Sequence, residues 1–81
     1  MNKMNKMKVC SMVSSDKVSC KDLRKFLFKY SLNNNVEIVN LGRKYRRKYS
    51  CGLYFTNNLN KLIVEDKINN KYKNNIHFMK E

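Results

Sequence analysis

Leu41 to Tyr49, LGRKYRRKY, is the stretch whose residue types could do chemistry. Five of its nine residues are basic (Arg43, Lys44, Arg46, Arg47 and Lys48), with Tyr45 and Tyr49 among them. A guanidinium forks two parallel hydrogen bonds onto phosphate oxygens, and its flat face, like a tyrosine ring, stacks on an exposed base. Gly42 frees the backbone for a turn ahead of the run. No Asp or Glu occurs from Val39 to Leu62, so nothing nearby in sequence neutralises it. These residues are expected to contact RNA, the basic ones as phosphate ligands and Tyr45 by stacking or packing. Lys3, Lys6 and Lys8 in the N-terminal segment form a weaker second grip.

Charge elsewhere supports a polyanionic partner. The 81 residues carry 18 Lys and Arg against 6 Asp and Glu, a formal net charge of +12. Such a chain repels itself until a polyanion neutralises it, with nucleic acid first and an anionic membrane surface second among candidates. Base composition is a competing account of part of this bias. Lys and Asn, at 14 and 13 residues, are both encoded by A-rich codons. That account does not cover three arginines falling within five residues.

Catalytic arrangements find little support. Glu65-Asp66 is the one close acidic pair, and it is read as the charge that a helix N-terminus favours. His77 has no base or nucleophile partner nearby in sequence. Two glycines leave no phosphate-cradling loop and no G-x-x-G clamp, and the aromatic signature of an RRM strand is missing. Cys10, Cys20 and Cys51 are widely spaced and odd in number, without C-x-x-C, so no metal site is expected. With no disulfide framework a reducing compartment is expected, and Cys20 and Cys51 are read as small core residues. No enzyme activity, cofactor, metal or small-molecule substrate follows from these residues.

The elements that position the basic run are legible from periodicity. Cys51, Leu53 and Phe55 alternate with Gly52, Tyr54 and Thr56, the pattern of a half-buried strand. Thr56-Asn57-Asn58 is read as a hairpin turn, returning through a second strand over Leu59 to Val64, with Asp66 capping a short helix toward Tyr72. Upstream, Cys20, Leu23, Phe26, Leu27 and Tyr30 form one apolar helical stripe, with Ser19 as cap and Asp22 in the first turn. Asn33-Asn34-Asn35 ends that helix. Val36 to Val39 is a strand with Val36 and Ile38 inward, and a final strand covers Ile76 to Met79. The fold class is therefore α+β, a small single domain of order α-β-β-β-α-β with an antiparallel, hairpin-based sheet. Residues 1–17 are expected to be a basic extension, disordered alone, ahead of a domain spanning 18–81. The interrupted run Val9 to Val13 falls short of a signal-peptide core, and nothing approaches a membrane span.

This order, with the stripe CKDLRKFL at 20 to 27, VEI at 36 to 38 and the ungapped run CGLYFTNNLNKLIVEDK at 51 to 67, resembles the eukaryotic large-subunit ribosomal protein family numbered thirty-eight. The resemblance covers about Val18 to Glu81. Leu62, Ile63 and Val64 occupy the places of its Leu-rich strand, and Asp66 and Lys67 those of the pair that opens its helix. The sequence departs in a longer basic loop, a shorter last helix, and Asn74-Asn75 where a proline-containing turn is expected. The resemblance implies helices packed on one face of the sheet and a structural role in the large (60S) ribosomal subunit. Its partners would be large-subunit ribosomal RNA and neighbouring ribosomal proteins, with no membrane. The protein would be cytoplasmic, in ribosomes, after assembly in the nucleus. Two alternatives stand beside it: a free-standing basic RNA-binding protein, and a small protein-interaction module with no RNA role.

Overall fold

A computed structural model describes residues 9–34, 36–43 and 46–79. The elements are β1 (Val9–Ser15), α1 (Cys20–Lys29), β2 (Val36–Gly42), β3 (Tyr49–Phe55), α2 (Asn58–Tyr72) and β4 (His77–Met79), with one 3-10 turn at Lys73–Asn75 before β4. The sheet is antiparallel and four-stranded, in the order β2-β3-β1-β4. This βαββαβ succession is the ferredoxin-like pattern. The fold is α+β and single-domain, but its element order corrects the sequence reading in two places.

The first correction is β1. Val9–Ser15 lies inside the region read as an extension, yet it pairs with β3 along its whole length, from Val9 opposite Phe55 to Ser15 opposite Tyr49, and with β4 on its other side. The domain thus starts at or before Val9. The second is the run Leu59 to Val64, read as a strand, which is helical and belongs to α2. Asn57 caps that helix, its side chain accepting from the Asn60 amide at 2.9 Å, so the capping role assigned to Glu65-Asp66 falls away. Glu65 instead accepts a hydrogen bond from Ser11 of β1. Val64 and Ile68 face the core one turn apart, with Tyr72 packed at its margin, while Leu59, Leu62 and Ile63 face outward. Helical and strand readings make different demands here. Ile68→Ala is expected to cost about 2–5 kcal/mol, and Leu62→Lys less than about 0.5 kcal/mol, both measurable by urea unfolding. A large loss at Leu62 would return that residue to a buried strand.

Both helices cover the same sheet face. Cys20 at the start of α1 is bonded to Cys51 of β3, and Glu65 of α2 reaches Ser11, whose strand partner Leu53 is two residues from Cys51. On that face Val13, Leu53, Phe55, Val36 and Cys51 close a core with Leu23, Phe26 and Leu27 of α1 and Val64 and Ile68 of α2. The pairing of Cys20 with Cys51 corrects the expectation of unpaired thiols. Both are core residues, as read, but they share a bond, and the argument for a reducing compartment loses its premise. Cys10 is outside that bond.

Local chemistry fixes the ends of α1. Ser19 accepts from the Asp22 amide at 3.1 Å while Asp22 accepts from the Ser19 amide at 3.2 Å, a reciprocal capping box. Ser19→Ala is expected to lower stability by about 1 kcal/mol, read as a shift of the urea midpoint at unchanged slope. The helix closes at Tyr30 ahead of Ser31, whose φ is 58°. Tyr30, placed in the apolar stripe by its spacing, is 48% exposed and lies edge-on to Phe26 at 5.0 Å. No helix among the described residues is long and apolar enough to cross a membrane.

Candidate nucleic-acid interface

The basic run forms the connection between β2 and β3. β2 ends in a bulge: Asn40 pairs with Cys51 but Gly42 with Ser50, leaving Leu41 as the extra residue. The Asn40 side chain accepts from the Gly42 amide at 2.8 Å, and Gly42 takes φ 76°, a backbone state open to glycine. These features turn the chain out of the sheet at the point where the arginines begin.

Within the connection, Arg43 and Arg46 are exposed, and Arg46 holds φ 59°. Lys44 and Tyr45 lie outside the described residues, as do Lys3, Lys6 and Lys8. Arg47 and Lys48 are fastened to the end of β1. Asp16 accepts from the Arg47 guanidinium at 3.1 Å through one carboxylate oxygen and from the Lys48 amide at 3.1 Å through the other. The Lys48 ammonium sits 5.4 Å from the centre of the Tyr49 ring. The run therefore divides into a forward part, Arg43 and Arg46, with no ion pair among the described residues, and a rear part in which Asp16 holds Arg47 in place. The sequence reading of Arg47 as a simple phosphate contact is thereby modified. One of its nitrogens is engaged, leaving the rest of its five donors for a ligand.

The two hydrogen bonds, first that from the Lys48 amide and then that from Arg47, hold the Asp16 carboxyl below its ordinary value. A lowered folded-state value means that this anchoring is fully present above the ordinary aspartate value of 3.8 and is lost as pH falls through the lower folded one. In a carbon-detected NMR titration the Asp16 carboxyl is expected to reach its midpoint below 3.8, with the Lys48 amide moving in step. A Lys48 amide that does not follow Asp16 would remove the anchor.

Other basic residues, scattered in sequence, meet in space. Arg24, on α1, donates to the Ile38 carbonyl at 2.9 Å and so occupies a backbone acceptor of the edge strand β2. Lys17, Lys25, Lys29 and Lys71 line one cleft between α1 and the end of α2. None of these four lysines is among the residues that the sequence reading expects to contact RNA. The spacing of Lys25 and Lys29, with Lys17 and Lys21 a residue every four positions, was the available signal. His77, in β4, pairs with Ser14 of β1 and borders the small recess that also contains Asp16 and Arg47. Among the described residues no three His, Cys, Asp or Glu side chains converge as metal ligands would. No protein-family model, no curated protein and no solved structure matches the chain.

Proposed function

We propose that the protein is a non-catalytic RNA-binding protein, and the large ribosomal subunit is the particle that the family resemblance names for it. One observation carries the RNA reading: the positive charge is not compensated within the fold. Among the described residues Arg47 with Asp16 is the single ion pair, and it is itself exposed, so the remaining basic side chains are left to an external anion. The loop between β2 and β3 presents Arg43 and Arg46 outward from a bulged, glycine-turned exit.

One observation favours a free-standing RNA-binding protein over a ribosomal one. The run Leu59 to Val64 is helical where the resemblance calls for a strand. The two are separated by sedimentation of the tagged chain from its own cells on a sucrose gradient at high salt. Peaks coinciding with large subunits, monosomes and polysomes support the ribosomal role. A chain that stays at the top but is retained on immobilised RNA at low salt supports the free-standing one, and a chain that does neither overturns both.

A further inference from the structure

The cleft between α1 and the C-terminal end of α2 has a volume of about 580 Å³. Its floor is the buried pair Val18 and Phe26, with Tyr72 half-buried beside them. Tyr72 lies edge-on to Phe26 at 5.5 Å, and this contact sets the separation of the two helix walls. Around the rim stand four ammonium groups, Lys17, Lys25, Lys29 and Lys71, against one carboxylate, Asp22. Asp22 also closes the Ser19 capping box, and among the described residues none of the four lysines is in an ion pair. Four positive charges against one negative leave an excess of three around one concave, aromatic-floored recess, and an anionic ligand relieves their repulsion.

The cleft also adjoins the recess at the anchored end of the loop. Lys17 and Asn75 line it and also line the recess of about 110 Å³ that holds Asp16 and Arg47. A cationic track therefore leads from Arg47 past Lys17 to Lys25, Lys29 and Lys71. We propose that the cleft between the helices holds the phosphodiester backbone of an RNA strand, which continues from the loop between β2 and β3 along this track. The proposal rests on the RNA-binding reading and adds a second contact surface to it, on the helical side of the domain.

The test uses the full, oxidised chain and a fluorescent single-stranded oligouridylate, with affinity measured across a series of KCl concentrations. Three triple variants are compared: K25Q/K29Q/K71Q in the cleft, R43Q/R46Q/K48Q in the loop, and K21Q/K61Q/K73Q as a control of equal charge outside the cleft lining. Circular dichroism checks that each remains folded, and glutamine keeps the helix propensity of lysine. A strand in the cleft predicts that the cleft variant loses about 2 from the salt slope and on the order of a hundredfold in affinity at 0.1 M salt. The control should lose less than half as much. If the cleft variant keeps the wild-type slope while the loop variant loses its own, the cleft proposal is overturned and the RNA reading stands. Equal losses in cleft and control variants also overturn it, since binding is then diffuse. Absence of wild-type binding at low salt overturns the RNA reading and the cleft together.

Discussion

Reducing the Cys20–Cys51 bond is expected to lower the stability of the domain by about 3.5–4 kcal/mol. The figure follows from the chain entropy that a crosslink between residues 31 apart removes from the unfolded state. An 81-residue domain has a total stability of about 4–12 kcal/mol, so the bond accounts for a large share of the margin. The expected fall in Tm is about 15–30 °C. The position of the bond explains why it matters here. It joins the first residue of α1 to the middle of β3, and both cysteines are buried. The measurement is urea unfolding of the oxidised chain against the chain reduced under denaturing conditions and refolded with reductant. Coincident midpoints would show that the core alone carries the fold. Rapid acid quenching and alkylation of the chain from its cells then tests location. Thiols that alkylate without prior reduction fit a cytosolic, ribosomal protein. A pair protected until reductant is added places maturation in an oxidising compartment and removes the ribosomal role.

What the sequence disclosed of the fold depended on how far each element's partners lay along the chain. Helix α1 was legible because its signals are local: an apolar stripe, a capping serine and an aspartate three residues on. The alternation of Cys51, Leu53 and Phe55 was equally local. β1 was not legible, because its inward positions are Val9, Ser11, Val13 and Ser15, half of them polar. Ser11 bonds to Glu65 and Ser15 to the Asn75 carbonyl, 54 and 60 residues away, and these partners make a serine acceptable in the interior. α2 was misread for a different reason. Its outward face carries Leu59, Leu62 and Ile63, so apolar residues occur all round its first half and periodicity alone does not separate helix from buried strand. The run Val64, Ile68, Tyr72, continuing past Glu65, was the discriminating pattern.

The candidate interface divides in the same way. Clustered arginines with a preceding glycine marked the loop between β2 and β3, and the structure exposes Arg43 and Arg46 there. The role of Asp16 was not legible, since it is 31 residues from Arg47 and meets it only because Ser15 pairs with Tyr49. The disulfide was hidden similarly, one cysteine opening a helix and the other lying within a strand. The helix cleft needed Lys71 and Tyr72 from the far end of the chain to be brought against Lys25 and Phe26.

Affinity for RNA is expected to fall by about three to five decades between 50 and 200 mM salt, if the loop and the adjoining cationic surface together neutralise six to ten phosphates. This is the steepest response expected of the protein, and it follows from the single ion pair found among the described residues. Each exposed ammonium or guanidinium that meets a phosphate releases condensed counterions, and that release is what added salt opposes. Arg43→Ser with Arg46→Ser removes the two exposed guanidiniums of the forward loop. It should reduce the slope by between one and two while leaving the urea midpoint within about 0.5 kcal/mol of wild type, because both side chains are exposed. Adding Arg47→Ser is a different perturbation, since it also leaves Asp16 without its guanidinium partner, and a larger effect of the third substitution would report on loop anchoring as well as on charge. Isothermal titration with a structured RNA at four salt concentrations measures all three slopes. A wild-type slope below about two would mean that few phosphates are contacted. The excess charge would then serve solubility, and the loop would be a solvated turn. A steep slope that survives the double substitution would instead move the main contact away from the loop, toward the lysines of the helix cleft.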